Sequence, residues 1–139
     1  MAKIGLVTCG SQKLKHPASA QDIYVSALFT KSRRWVEANC EQWYILSAKH
    51  GLLDPTLTIE PYNMTLNTMP SQDRWQWASG VVQAISQKIQ LSDRLVILAG
   101  QKYREHLIQP LEFKGYQIEI PMAGLPIDKQ LQWLEKDVK

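Results

Sequence analysis

The stretch that decides the fold is WYILSAKHG, residues 43–51. Its first five residues are aromatic or aliphatic up to a final serine, which is the composition of a central β-strand. The strand is expected to end before Gly51, so that Ser47, Lys49 and His50 lie at its end. A buried strand that ends in polar side chains is typical of an α/β domain with its chemistry at the strand ends.

Apolar runs elsewhere predict further strands with helices between them. The other strands are expected at residues 4–8, 94–99 and 116–121. Apolar spacing predicts helices over about 21–38, 71–89, 101–108 and 127–136. Ser71 is the expected N-cap of the second helix. The proline-rich segment from Leu52 to Pro70 is predicted to be mostly irregular. It is long for a loop that only connects two elements, and long loops are often functional.

The order of these elements predicts the fold class. Strands that alternate with helices imply a mostly parallel sheet covered on both faces. With 139 residues, of which 45% are hydrophobic, the chain can bury one core rather than two. We therefore predict a single α/β domain over residues 1–139, a three-layer fold with a mostly parallel sheet of four to five strands.

Composition excludes several classes of protein. No apolar run approaches the roughly 20 residues needed to cross a bilayer, and the N-terminal residues are not typical of a secretory signal. We therefore expect a cytoplasmic protein with no membrane partner. The two cysteines, Cys9 and Cys40, lack the spacing of a zinc site, and the chain has neither a Walker nor a GxGxxG motif. No metal and no cofactor are predicted.

Three loops follow strands of the predicted sheet, and all three are polar and cationic and contain glycine. They are residues 9–13, 47–51 and 99–104. The carboxyl ends of parallel strands meet at one edge of a sheet, where open sheets bind their ligands, so we expect these loops to form one site. The formal net charge of +3 is a small positive excess, which favours a phosphate-bearing ligand through long-range attraction.

Lys49 and His50 are adjacent cationic or proton-donating groups at the end of the central strand, and Ser47 belongs to the same loop. Such a pair could act on a bound ligand as electrostatic and acid–base groups. Alternatively, Lys49 is solvated and His50 caps the turn before Gly51. Both possibilities stay open at this point.

The sequence EPYN, residues 60–63, combines a carboxylate, a rigid proline, an aromatic ring and an amide. Glu60 could serve as a base or stabilise a cation, Tyr62 could stack on a nucleobase, and Asn63 could bind the edge of that base. Alternatively, the segment is an ordinary proline turn whose tyrosine packs on the core.

Cys9 follows the first strand and is a candidate nucleophile if Lys13 or His50 favours its thiolate. Alternatively, it packs in the core. Gly10 and Ser11 after it are typical of an anion-accepting turn.

Gly100, Tyr103 and Arg104 lie at a predicted helix start, where free N–H groups and the guanidinium could hold a phosphate. Arg34 could add a similar contact or lie on the surface.

Five motifs together resemble the DUF6884 family of bacteria and phages. They are CGSQK at 9–13, YVSALF at 24–29, ILSAKHGL at 45–52, EPYN at 60–63 and LAGQKY at 98–103. The motifs span most of the chain, and SAKHGL is the most specific of them. The family is similar in turn to the YaaA-like and uracil-DNA-glycosylase-like group of α/β domains.

The resemblance implies a Rossmann-like domain that processes nucleobases or nucleosides. The leading hypothesis is an N-glycosidase, similar to a DNA glycosylase, whose partner is a modified base, a nucleoside or DNA. Glu60 would orient water or stabilise the oxocarbenium-like cation, and Lys49 or His50 would stabilise the departing base. The chain lacks the water-activating Gly-Gln-Asp-Pro-Tyr motif of uracil glycosylases, so their mechanism does not transfer directly.

Two other functions are compatible with the same residues. One is an enzyme in which Cys9 forms a covalent adduct with a modified base, such as a deazaguanine nitrile. The other is a non-catalytic nucleic-acid-binding module that uses basic side chains, namely Lys13, Lys15, Arg33, Arg34 and Arg104.

Overall fold

Strands and helices alternate along the chain in the computed structural model, which describes residues 2–138. The strands are β1 Lys3–Thr8, β2 Ala18–Ser19, β3 Gln42–Ser47, β4 Gly51–Leu53, β5 Thr58–Ile59, β6 Arg94–Leu98 and β7 Gln117–Glu119. The helices are α1 Ala20–Ile23, α2 Ala27–Asn39, α3 Ser71–Lys88, α4 Gln101–Arg104, α5 Ile108–Lys114 and α6 Ile127–Trp133. A 3₁₀ turn, Leu66–Thr68, lies between β5 and α3.

Within residues 2–138, five of the strands form one sheet in the order β4-β3-β1-β6-β7. β1 runs parallel to its neighbours β3 and β6, and β7 runs parallel to β6. β4 lies antiparallel to β3 at one edge of the sheet, while β2 and β5 form a separate antiparallel pair. The prediction of a mixed α/β fold with a mostly parallel sheet of four to five strands is confirmed.

The centre of the sheet is buried on both faces. Four successive residues of β1, Ile4 to Val7, are buried, and successive side chains of a strand point to opposite faces. α2 packs on β1 and β3, and α3 packs on β4. Gly5 permits the close approach of α2, because a Cβ atom at this position would lie 2.6 Å from Cγ1 of Val36.

The helix expected over residues 21–38 is in fact two helices, α1 and α2. The chain between them is extended and pairs with the loop after β1. The N–H of Leu14 donates to the carbonyl of Ile23 at 2.8 Å, and the N–H of Val25 donates to the carbonyl of Gln12 at 2.9 Å. Ser26 then caps α2. This long-range pairing overrides the helical spacing of the sequence.

The segment expected to be mostly irregular contains the short strands β4 and β5 and the 3₁₀ turn. Gly51 has a φ of 68°, a conformation that costs glycine little and other residues more. The turn reverses the chain, so that β4 pairs back onto β3. Strands of three and two residues are too short to show an alternating pattern, which is why the sequence did not predict them.

Two helix predictions were wrong in detail. α3 begins at Ser71 itself, so Pro70 occupies the N-cap position and no side chain caps the helix. The helix expected over residues 101–108 ends at Arg104, and α5 follows as a separate helix. Pro110 lies in the first turn of α5, where its missing N–H breaks no helical hydrogen bond.

The carboxyl ends of β3, β1 and β6 lie side by side, because these three strands are parallel neighbours. We call this border of the sheet the strand-end edge. It carries Ser47 from β3, Cys9 after β1 and Ala99 after β6. None of the helices described is long and apolar enough to cross a membrane.

Candidate active site

A cavity of about 560 Å³ opens at the strand-end edge, beside the ends of β1 and β6. Much of its polar lining follows β1, β5 and β6, namely Cys9, Ser11, Lys13, Asn63, Thr65, Tyr103 and Arg104. Apolar lining comes from α2, β6 and the chain after β7, including Leu28, Phe29, Ile97, Leu98, Ile120 and Met122. A cavity of this size, with apolar walls and a few polar groups, fits a small organic ligand.

The thiol of Cys9 lies in the wall of this cavity and is 8% exposed. It donates a hydrogen bond to the hydroxyl oxygen of Tyr103, 3.6 Å away. The same oxygen accepts the backbone N–H of Leu66 at 3.2 Å. Burial raises the pKa of Tyr103 to about 12, so its hydroxyl keeps its proton at neutral pH. The cavity thus joins a thiol to a fixed hydroxyl that carries a proton.

Gly10 and Ser11 continue the chain along the cavity. Their backbone N–H groups donate to no acceptor within residues 2–138. A Cβ atom at Gly10 would lie 2.8 Å from Oγ of Ser26, so this turn packs directly against the N-terminus of α2. The turn therefore presents free N–H donors beside the positive end of a helix, an arrangement that attracts anions.

Tyr62 lies at the centre of a second group of side chains, which we call the Tyr62 cluster and which consists of Tyr24, Ser47 and Tyr62. The hydroxyls of Tyr24 and Tyr62 are 2.6 Å apart, and that of Tyr62 is 2.8 Å from Oγ of Ser47. Oγ of the fully buried Ser47 also accepts the N–H of His50 at 3.0 Å. Burial raises the pKa of Tyr24 to about 12 and also raises that of Tyr62, so both phenols are neutral. These bonds join the loop after β3 to the loop after β5.

Three basic side chains lie near the ring of Tyr62. Nζ of Lys13 is 4.5 Å from the ring centroid, and Nζ of Lys49 is 5.9 Å from it. The imidazole of His50 meets the same ring edge-on at 5.6 Å. Partial burial, and then the charge of Lys49, lower the pKa of His50 below its usual value. Lys49 and His50 are exposed and, unlike Lys13, do not line the cavity.

Not all of residues 60–63 lie at the cavity. Asn63 lines the cavity, and Tyr62 lies beside the cavity residue Lys13. Glu60 is exposed and lies outside the cavity lining. Among residues 2–138, no aspartate or glutamate lines the cavity. A carboxylate close to a bound ligand, which the N-glycosidase hypothesis requires, is therefore not part of this site as it stands.

Gly100, Tyr103 and Arg104 all line the cavity from the side of β6. The guanidinium of Arg104 donates to the carbonyl of Ala99 at 2.8 Å and to Oε1 of Gln101 at 3.1 Å. These bonds hold its positive charge at the loop after β6.

The other basic residues predicted to bind nucleic acid, Lys15, Arg33 and Arg34, do not line the cavity. Arg33 pairs with Asp22 at 2.7 Å and with Glu37 at 3.1 Å. Arg34 borders a separate surface depression next to Glu135. Because carboxylates offset the charge of Arg33 and Arg34 lies apart from the cavity, the continuous basic surface that a nucleic-acid-binding module needs receives little support.

Several cavity residues on α2 were not predicted from the sequence, above all Ser26, Phe29 and Ser32. Ser32 is 2% exposed, and its hydroxyl has no hydrogen-bond partner in the part of the chain that the structure describes. The three residues are spaced by three and lie on one helix face. The signal available in the sequence was the pair of serines, Ser26 and Ser32, which lie at the start and on the apolar side of α2.

Within the described residues, no three His, Cys, Asp or Glu side chains are grouped so that they could hold a metal ion. The second thiol, Cys40, is half-buried and does not line the cavity. Burial raises its pKa to about 11, which makes it a poor nucleophile.

Comparisons with known proteins assign the chain to a family and to a bacterial relative. The chain matches the family described as "Family of unknown function (DUF6884)" over residues 4–136. It is 30% identical over 115 residues to "Uncharacterized protein YfjM" of Bacillus subtilis (strain 168), which covers 77% of this chain and 75% of the relative. No solved structure matches the chain.

Proposed function

The chain belongs to the DUF6884 family, whose function is unknown, and we propose that it is an enzyme that processes a nucleobase or nucleoside in the strand-end cavity. The family match confirms the resemblance found in the sequence motifs. The observation that carries the proposal is the position of Cys9, whose thiol lies in the cavity wall and bonds to the hydroxyl of Tyr103. Aromatic and aliphatic walls that include Phe29 and Met122 suit a flat heterocycle.

We also propose the finer classification of the fold, a three-layer Rossmann-like domain of the YaaA-like and uracil-DNA-glycosylase-like group. Its support is the parallel order β3-β1-β6-β7 and the cavity at the carboxyl ends of β1 and β6. Open parallel sheets bind ligands at this position.

Cys9 is the proposed reacting group. In the proposed step, its thiol adds across a C=O or C≡N bond of the bound base. The sulfur forms a bond to carbon, the π electrons move to oxygen or nitrogen, and that atom receives the proton that the thiol gives up. The hydroxyl of Tyr103, 3.6 Å from the sulfur, can relay this proton because it is neutral and carries one of its own. The addition needs no further reactant. For a nitrile, water then adds to the thioimidate carbon, and expulsion of the thiol releases the base as its amide and regenerates Cys9.

Cleavage of an N-glycosidic bond is the second candidate, and the Tyr62 cluster is the observation in its favour. Lys13 joins this cluster to the cavity, and Lys49 lies over the same ring. The oxocarbenium-like transition state needs nearby negative charge, for which Glu60 is the candidate. Since Glu60 lies outside the cavity lining, its loop would have to move toward the ligand. The Cys9 reaction needs no such movement.

Replacing Glu60 by glutamine separates the two candidates. If Cys9 is the reacting group, Glu60→Gln should retain turnover within about twofold, because an exposed side chain outside the cavity contributes little to the step. Modified bases, their nucleosides and DNA that contains them would be incubated with each variant, and products would be measured by mass spectrometry. Asp128→Asn, at an exposed position in α6, is the matched control. Released free base in the wild type and none with Glu60→Gln would favour the N-glycosidase instead.

A further inference from the structure

We infer that the cavity binds a nucleotide, a nucleoside with a phosphate monoester, in preference to the uncharged nucleoside. The inference rests on the proposed function and specifies the class of substrate for the same cavity. Its basis is that the cavity combines a site for an anion with a separate serine hydroxyl in the lining that bonds to no protein group of residues 2–138.

The anion site begins at the turn after β1. The N–H groups of Gly10 and Ser11 have no acceptor within residues 2–138, and the turn packs against the N-terminus of α2, a helix of 13 residues. Lys13 adds a positive charge to the lining, and Arg104 adds another from the loop after β6. No carboxylate of the described chain lines the cavity, so no acidic side chain of the lining offsets these charges, and a bound anion would be attracted to them.

The second feature of the cavity is the side chain of Ser32. It lines the cavity, is 2% exposed, and its hydroxyl bonds to no other group among the described residues. A hydroxyl that lines a cavity and bonds to no protein group is free to bond to a polar edge of the ligand in place of water. Phe29 and Leu28 on the same helix contribute aromatic and apolar surface beside it.

The spacing of the two features fits a nucleotide. Ser32 follows the N-cap residue Ser26 by six positions, which is about 9 Å along the helix axis. This is comparable to the distance between the phosphate and the base of a nucleoside 5′-monophosphate. A ligand with its phosphate at the turn of Gly10 and Ser11 would place its base against Phe29 and Ser32.

A free nucleotide is favoured over a nucleic-acid chain. A longer strand would need further cations along its path, whereas Arg33 is paired with two carboxylates and Lys31 with Glu135 at 2.6 Å. Lys13 and Arg104 instead lie in the lining of one cavity of about 560 Å³, the scale of a small-molecule site.

The test is calorimetric titration of the full chain with AMP, GMP, CMP and UMP, with the four nucleosides, and with inorganic phosphate. At least one nucleotide should bind about tenfold more tightly than its nucleoside. Lys13→Met should reduce this advantage to about threefold or less, since Arg104 and the N–H groups remain, and leave nucleoside affinity nearly unchanged. Lys88→Met is the matched control, since Lys88 also lies over a tyrosine ring, 6.0 Å from that of Tyr44, but outside the cavity lining.

Ser32→Ala tests the other half of the ligand. It should weaken nucleotide and nucleoside alike, by roughly five- to tenfold, and leave the binding of inorganic phosphate unchanged. Ser86→Ala, on the exposed surface of α3, should change none of these affinities.

Equal affinity for nucleotide and nucleoside, or an advantage that is undiminished in Lys13→Met, would overturn the inference and leave the proposed function standing. Tighter binding of a DNA oligonucleotide than of any mononucleotide would overturn it in favour of a nucleic-acid ligand. Binding of neither nucleotides nor nucleosides would count against both the inference and the proposed function.

Discussion

Replacing Cys9 by serine is expected to lower the turnover of the modified base by roughly 1000-fold or more, since a serine hydroxyl ionises far less readily than a thiol. The change is small in volume, and the new hydroxyl can still donate to the oxygen of Tyr103, which now accepts from the thiol. The loss should therefore appear in turnover while the fold is retained. The measurement is the rate of base conversion, followed by chromatography with mass detection.

Cys40→Ser is the control for this experiment, because Cys40 is the other cysteine of the chain and does not line the cavity. It should retain wild-type turnover. If Cys9→Ser kept more than about half of the activity, the thiol would not be the reacting group.

Replacing Gly5 by alanine is expected to destabilise the protein by about 2 to 3 kcal/mol, because the central strand and α2 leave no room for a methyl group. The new Cβ atom would lie 2.6 Å from Cγ1 of Val36, a fully buried side chain with restricted rotation. α2 would have to move away from β1. Since α2 carries Ser26, Phe29 and Ser32, ligand binding should weaken together with stability. Urea unfolding and calorimetry measure the two effects.

A double-mutant cycle shows whether this contact is the cause. Val36→Ala removes the clashing methyl groups, so the pair Gly5→Ala and Val36→Ala should be more stable than the sum of the single changes by about 1 to 2 kcal/mol. Gly80→Ala in α3 is the control, since no atom lies within 4 Å of its added Cβ, and it should be neutral or slightly stabilising. Strictly additive effects of Gly5→Ala and Val36→Ala would contradict the steric explanation.

The two substitutions, at Gly5 and Cys9, lie in β1 and in the loop that follows it, and both of these segments contact α2. Gly5 sets the distance between α2 and β1, and Gly10 sets the contact between the loop after β1 and the N-terminus of α2. The same loop holds Cys9, whose thiol donates a hydrogen bond to Tyr103 of α4, the helix that follows the neighbouring strand β6. Close packing at two glycines thus positions the elements that border the cavity, with its thiol, free N–H donors and serine hydroxyl.

Local patterns in the sequence were sufficient for the main elements. The apolar runs of β1, β3 and β6 predict buried parallel strands, and parallel strands place their carboxyl ends together. The position of the loops after these strands followed from this rule. The motifs that resemble the DUF6884 family also proved sufficient for the family assignment.

Features that depend on contacts between distant residues could not be predicted. β4 consists of three residues, and its pairing with β3 depends on the turn at Gly51. The sequence left open whether Tyr62 stacks on a ligand or packs on the core. In the structure it packs against the core, and its hydroxyl bonds to Tyr24 and Ser47, which lie far from it in sequence. Glu60 is two residues from Tyr62 and yet outside the cavity, because side chains so close together in a loop need not face one ligand.

The central claim, that Cys9 reacts with a base bound in the strand-end cavity, is tested most directly by locating the covalent adduct. The protein would be incubated with a 7-deazaguanine nitrile, quenched in acid and digested with trypsin. Cys9 and Cys40 fall in separate peptides, residues 4–13 and 35–49. We predict that peptide 4–13 gains the full mass of the base and that peptide 35–49 gains none. Turnover of the base with peptide 4–13 unmodified at every time point, or equal labelling of both peptides, would contradict the claim.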